Sequence, residues 1–246
     1  MNQRIADAFL EGTKYQNLES SNQQQGIEQP SLHAILRPGR HLPLPEPQVL
    51  ELGGMSLGAA IQTRRSLRTC SDGQLSVEAL SFLLWCAQGV KPESTGKYTL
   101  RTAPSAGARH AFETVLLINR VGDVEPGLYQ YDAAVHGLIQ WDFPADITAQ
   151  VMAACLDQRI IGNSAVTFIW VAERERMAWR YGERGLRYLF LDAGHVCQNL
   201  SLAAESIAAG ACAVGAFNDD NLNDLLGLDG LNRFAIYLAG VGERDA

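Results

Sequence analysis

Phe112-Glu113-Thr114-Val115-Leu116-Leu117-Ile118-Asn119 is an apolar, β-branched run with the length of a buried strand. The next signals are also strand-like. Gly127-Leu128-Tyr129-Gln130-Tyr131-Asp132 alternates across two faces, and 136–141 follows after a short turn, which reads as a hairpin. Working outward, apolar runs over 165–172, 211–217 and 234–241 read as further strands. Helices are expected over 57–63, 147–156 and 219–226. Another starts at Ser76, a capping residue, and is closed by Gly89. Helices and strands alternate without regular βαβ spacing, which points to an α+β chain with a mixed sheet rather than a dinucleotide-binding α/β fold.

The longest helical signal covers 186–209, near 24 residues or roughly 36 Å at the helical rise. It is rich in alanine and contains Gly194, so it is expected to be central, packed closely by another helix or by a cofactor. Residues 1–50 differ in character. A short amphipathic helix fits 5–10, the stretch 20–29 is polar, and prolines at 43, 45 and 47 favour a polyproline-like path. This part reads as an N-terminal arm wrapping a surface or a partner subunit, with a disordered tail as the alternative. Residues 51–246 form the core domain.

At 246 residues and 26.8 kDa, with 47% hydrophobic residues, the chain belongs among soluble globular proteins. A net charge of −7, with no basic run beyond one short arginine cluster, argues against nucleic acid or an anionic membrane as the main partner. No apolar stretch approaches the roughly 20 residues that span a bilayer, and the N-terminus does not resemble a signal peptide. The five scattered cysteines lack metal-ligand or disulfide spacing and fit reduced thiols. The expected location is cytoplasmic, and no metal is expected.

The chemistry concentrates in three stretches. Arg64-Arg65-Ser66-Leu67-Arg68 sets three guanidiniums around one serine, a set suited to gripping a phosphate. Pro104-Ser105-Ala106-Gly107-Ala108 is a small-residue loop that lets backbone lie close to a flat ligand. Gly210-Ala211-Cys212-Ala213-Val214-Gly215-Ala216-Phe217 is a strand of small residues bounded by glycines. Taken singly, these are as well explained by a solvated charged surface, an ordinary turn and a tightly packed strand. Together they suggest a phosphorylated, ring-bearing cofactor.

In this order, and joined to Gly127–Asp132 and the run Arg180-Tyr181-Gly182-Glu183-Arg184-Gly185-Leu186-Arg187-Tyr188 leading into Leu191–Leu200, these stretches resemble the flavin-dependent nitroreductase superfamily. The nearer resemblance is to its SagB-type branch, which includes azoline dehydrogenases of thiazole and oxazole peptide biosynthesis. It covers roughly residues 57–242, and Gly12-Thr13-Lys14-Tyr15 also looks like that branch's N-terminal segment. The resemblance implies a mainly antiparallel mixed sheet flanked by helices, and a homodimer with FMN at the subunit interface. Carried over by position, Arg64 and Ser66 would hold the FMN phosphate and ribityl chain, beside Arg65. Arg68 would reach the ribityl hydroxyls or the pyrimidine edge. Pro104, Ser105, Ala106 and Gly107 would line the ring, Gly215 and Ala216 would lie near flavin N5, and Arg244 is a further phosphate candidate.

Two features depart from the branch. It commonly carries a Lys-Tyr pair, thought to help remove the substrate proton, where this chain has Arg180-Tyr181. Arginine is too basic to act as a general base near neutral pH. Tyr181 is then the proton-handling candidate, with Arg180 its neighbouring cation; a helix-end ion pair beside a packed ring is the structural alternative. These 246 residues also show no cyclodehydratase domain, so any such partner enzyme is expected to be separate. His195 is expected to be buried, and Glu183 and Asp192 are expected to pair with Arg184 and Arg187. The expected function is hydride transfer between flavin N5 and an organic substrate, small molecule or peptide. The alternatives are an NAD(P)H-dependent nitro or quinone reductase and a non-catalytic flavin-binding partner in a peptide-modifying complex.

Overall fold

The computed structural model describes residues 3–95 and 98–245. In chain order the elements are α1 (Gln3–Gly12), β1 (Arg40–Pro43), α2 (Val49–Leu52), α3 (Leu57–Thr63), α4 (Val77–Gln88), β2 (Phe112–Ile118), β3 (Gly127–Asp132) and β4 (Gly137–Gln140). There follow α5 (Ile147–Ala154), α6 (Arg159–Asn163), β5 (Val166–Glu173), α7 (Arg174–Tyr181), α8 (Gly185–Ser206), β6 (Ala209–Val214), α9 (Asp219–Leu226) and β7 (Arg233–Glu243).

The strands form one seven-stranded sheet in the order β1-β4-β3-β2-β5-β7-β6, and every pairing between them is antiparallel. Among the described residues, parallel pairing occurs only as isolated bridges, Ser66 with Ala211 of β6 and Leu75 with Val121. The run that reads as a strand from sequence is its centre: β2 pairs with β3 on one side and β5 on the other, and all seven of its residues are buried.

Alternation along β2 divides the core. Phe112, Leu116 and Ile118 join Leu80, Leu83 and Leu84 of α4 and Leu189, Val196 and Leu200 of α8 on one face. Val115 and Leu117 meet Ile147 and Val151 of α5, Ile160 of α6 and Leu222 of α9 on the other. Ser76 caps α4 by accepting from Ala79 N at 3.1 Å, and Gly89 ends it. The expected helix over 186–209 is α8, which packs against α4, α7 and β6.

The N-terminal part departs from a polyproline path. Arg40–Pro43 forms β1, an edge strand paired with β4 in register Arg40 to Gln140. Pro43, the one proline inside it, fits because an edge strand has one side free of ladder bonds. Upstream, residues 13–36 are tied to the chain's own body. Arg184 Nη1 donates to the carbonyl of Thr13 at 2.8 Å, and Trp179 Nε1 donates to that of Ile27 at 2.8 Å. Ala34 N reaches Glu113 at 2.9 Å, and Leu36 N reaches Gln130 at 2.8 Å. Between α4 and β2, Gly96 and Lys97 lie outside the described residues.

Candidate functional site

The arginine cluster begins where α3 ends. Ser56 caps that helix by accepting from Ala59 N at 3.2 Å. At its other end Arg65 Nη1 donates to the carbonyls of Gln62 and Arg64 at 3.1 and 2.9 Å. Arg65 therefore serves as a C-terminal cap for carbonyls that lack helical partners. The chain then runs beside β6: Leu67 N donates to the Ala211 carbonyl at 3.0 Å. A Cβ on Gly210 would lie 2.7 Å from the Leu67 Cβ, so glycine is what permits this approach.

β6 is the sheet edge, and among the described residues no strand pairs with its outer side beyond this short bridge and the Arg244 contact at Ala209. Since Ala211 presents its carbonyl to that side, the main chain of Ala213 faces the same way by strand alternation. The strand ends one residue before the exposed Gly215 and Ala216. Ala211 and Gly215 are four residues apart, about 13 Å at the strand rise. Arg64, Ser66 and Arg68 make no side-chain hydrogen bond or ion pair among the described residues, and Ser66 and Arg68 are exposed. Arg244 is different: Nε donates to the Ala209 carbonyl at 3.0 Å and the guanidinium pairs with Glu205. Its position pins the start of β6.

The second cluster is closely tied. Ser105 Oγ donates to Asp192 Oδ2 at 2.6 Å, Ala106 N donates to the same carboxylate at 3.2 Å, and His110 N donates to Ser105 Oγ at 2.9 Å. Burial raises the Asp192 pKa, and the bonds from Ser105 and Ala106 oppose that rise. Gly107 sits at φ 57°, and a Cβ there would lie 2.5 Å from the Tyr181 hydroxyl and 2.8 Å from Arg180 Nε. Only glycine combines that dihedral with that proximity. The structure thus brings the Pro104–Gly107 loop and the Arg180-Tyr181 pair to one place. Tyr181 stands edge-on to Tyr188 with centroids 4.7 Å apart, and Arg180 lies 5.7 Å from the Tyr181 ring centroid. No ion pair of Arg180 occurs among the described residues.

α8 links the two clusters. Asp192 holds the Ser105–Ala106 loop, while Cys197 bonds to Tyr237, whose ring is the neighbour of Gly215. These anchors are five residues, or about 7.5 Å, apart along the helix axis.

Several expectations need correction. Asp192 does not pair with Arg184 or Arg187; both arginines hold the N-terminal arm, at Thr13 and at Thr13 and Leu10 respectively. Glu183 pairs instead with Arg174 at 3.5 Å. His195 is exposed, with Nδ1 3.7 Å from Asp192 Oδ1, because its side of α8 turns away from the core. Gly194 on the same surface has nothing within 4 Å of a built Cβ.

Sequence reading missed two features. Glu113 and Arg176 form an ion pair at 2.7 Å, both at least 98% buried. A cavity of about 490 Å³ is lined by Tyr15, Leu18, Glu19, Gln23 and Gln24 of the arm together with Arg180, Tyr181, Arg184 and Tyr188. Gly12–Tyr15 was the one signal pointing to the latter.

The donor set suits an anionic cofactor tail: two guanidiniums and one hydroxyl without protein partners, beside an open strand edge. The chain belongs to the nitroreductase family, a family of oxidoreductases, whose pattern matches residues 61–243. A protein of Methanocaldococcus jannaschii, provisionally named a nitroreductase, is 31% identical over 199 residues, covering 81% of this chain and 96% of its own. A nitroreductase-type structure from Ralstonia eutropha superposes with a TM-score of 0.69 at 25% identity, covering 89% of this chain and all of that one. Another from Anabaena variabilis gives 0.70 at 26%, covering 84% of this chain; the chain spans 42% of that longer protein. A chain of the Escherichia coli microcin synthetase McbBCD complex, solved with truncated pro-MccB17, shares the fold at 0.63 and 19% identity, covering 87% of this chain and 79% of that one.

Proposed function

We propose that two copies of this chain form an FMN-dependent oxidoreductase of the SagB-type branch, with each cofactor held between subunits. The observation that carries this reading is the unpartnered set Arg64, Ser66 and Arg68 beside the free edge of β6. FMN, when bound, supplies reversible hydride chemistry that no side chain here provides. Arg64 and Ser66 would hold its phosphate, and Arg68 would place a fixed positive charge toward the ribityl chain or pyrimidine edge. Gly215 and Ala216 would offer close backbone contact, and the Pro104–Gly107 loop would line the ring. Leu57 and Ile61 of α3, with Phe190 and Leu191 of α8, are more than half exposed in one chain and support an interface with a second copy.

Tyr181 is the proton-handling group of this scheme. Its hydroxyl lies close against Gly107, and its ring stands edge-on to Tyr188. Arg180 carries a guanidinium, which orients and attracts rather than abstracting a proton. That substitution favours a reductase of nitro or quinone compounds, with NADH or NADPH as donor, over a peptide azoline oxidase.

An absorption spectrum of the purified protein tests the core claim. It should show bound flavin, and Arg64→Ala with Ser66→Ala should remove it; colourless protein that ignores added FMN sinks the proposal. Anaerobic mixing with NADH or NADPH then separates the readings: fast bleaching marks the reductase. Slow bleaching with reoxidation by oxygen marks the oxidase, in which Tyr181→Phe should do far more damage.

A further inference from the structure

We infer that the cavity beneath the N-terminal arm is the substrate subsite, and that Arg180 there grips a carboxylate, so the organic substrate is a monoanion. The inference rests on the proposed oxidoreductase reading for its link to catalysis. The binding claim stands on the cavity itself.

Residues 14–22 form a strap fixed at both ends. On one side Arg184 and Arg187 hold Thr13; on the other Gln23 N donates to the Trp179 carbonyl at 2.9 Å, and Trp179 Nε1 holds Ile27. Between these anchors the strap passes the Arg180-Tyr181 pair and forms one side of the cavity of about 490 Å³, which is open to solvent where Tyr15 and Arg180 are exposed. The volume matches a small organic molecule or one residue-sized group.

Three charged side chains line it: Arg180, Arg184 and Glu19. Arg184 is engaged by the Tyr188 hydroxyl at 2.9 Å and the Thr13 carbonyl at 2.8 Å, neither of them anionic. Arg180 has no hydrogen bond or ion pair among the described residues, although its Nε lies near the Tyr181 hydroxyl over Gly107. The formal charge of the lining is therefore +1. The exposed guanidinium fork of Arg180 at the mouth of this cleft is complementary to a carboxylate, which it can meet bidentately. The same grip would place the bound molecule within reach of the Tyr181 hydroxyl. Glu19, across the cavity, disfavours a second negative charge. A lysine at position 180 would offer a point charge without the planar fork, so the Arg180 departure has a direct physical use here.

Equilibrium calorimetry with 4-nitrobenzoate and its neutral isostere 4-nitrobenzamide tests this without turnover. The intact protein should bind the carboxylate about tenfold or more tightly than the amide. Arg180→Gln should abolish that preference while leaving the amide affinity unchanged, Arg180→Lys should retain part of it, and Glu19→Gln should strengthen carboxylate binding. Equal affinities in the intact protein, a preference that survives Arg180→Gln, or no binding of either compound would overturn the inference. The flavin spectrum of the same samples is read separately. Flavin-free protein that still prefers the carboxylate removes the oxidoreductase reading and leaves the subsite.

Discussion

The two halves of the candidate site are built in opposite ways. Along the β6 edge, Arg64, Ser66 and Arg68 stand open, with donors that no described residue satisfies. Around the Pro104–Gly107 loop nearly every polar group is engaged: Asp192 takes two donors, Ser105 both gives and accepts, and Gly107 leaves no room beside Tyr181. An unsatisfied cationic set is what a protein leaves where an external anion will complete the structure. A fully bonded loop is what it uses to hold geometry in advance. Substitutions in the two halves should therefore separate stability from ligand retention.

The largest effect on folding should come from the support of the tied half. Arg176 anchors β2 through Glu113 and also donates to the His110 carbonyl at 3.0 Å, at the end of the loop. Glu113→Ala would leave a buried guanidinium without its counter-charge, at a cost of about 3–5 kcal/mol. For a chain of this length that is roughly 6–20 °C in the melting midpoint. A shift of under 3 °C by calorimetry would show that the pair is not what braces the loop.

Next comes Asp192→Ala, which strands the Ser105 hydroxyl and the Ala106 N–H. A loss of about 2–3 kcal/mol is expected, with the loop freed to move. Flavin retention should weaken with it, whereas unchanged stability in a urea titration would break the contrast between the halves.

Acid should act on the same half. Burial, reinforced by the charge of Arg101, pushes the His110 pKa down to about 3. The unfolded chain, with an ordinary histidine near 6.5, binds this proton at a pH where the folded chain does not. Stability should accordingly fall as pH drops from about 6.5 toward 3, by up to about 1.4 kcal/mol per pH unit from this one group. His110 has φ 42°, a conformation asparagine tolerates, so His110→Asn is the suitable control. It should flatten the slope between pH 6.5 and 5; an unaltered slope assigns the proton elsewhere.

How much of this was visible in the sequence follows the same division. Local periodicity located β2, the β3–β4 hairpin, α4 with its Ser76 cap, and α8 to within a few residues, because each is specified by its own pattern of burial. The short motifs were also legible as chemistry. Their partners were not. Asp192 and Ser105 are 87 positions apart, and Arg184 meets Thr13 across 171. Charge neighbours on one helix suggested Asp192 with Arg187, yet helix orientation aims one at the loop and the other at the arm. The strand β1 was hidden for a related reason: Pro43, with Pro45 and Pro47 just after the strand, argues against a strand until the sheet supplies an edge with only one side to satisfy.

The smallest effect on stability should come from the open half, and there the comparison becomes sharpest. Arg64→Ala with Arg68→Ala removes two side chains that make no hydrogen bond or ion pair among the described residues, so the change in unfolding free energy should stay within about 0.5 kcal/mol. Loss of like-charge crowding in the Arg64–Arg68 segment could even stabilise the cofactor-free chain slightly. Retained flavin, measured as absorbance after gel filtration, should nevertheless drop by more than tenfold, since two charge-assisted contacts to a phosphate are gone. The apparent midpoint must then be compared with and without added FMN. The intact protein should gain stability with the cofactor by mass action and the variant should not. A variant that loses several kcal/mol without any cofactor present would mean that these arginines brace the α3–β6 junction, and the edge would no longer differ in kind from the loop.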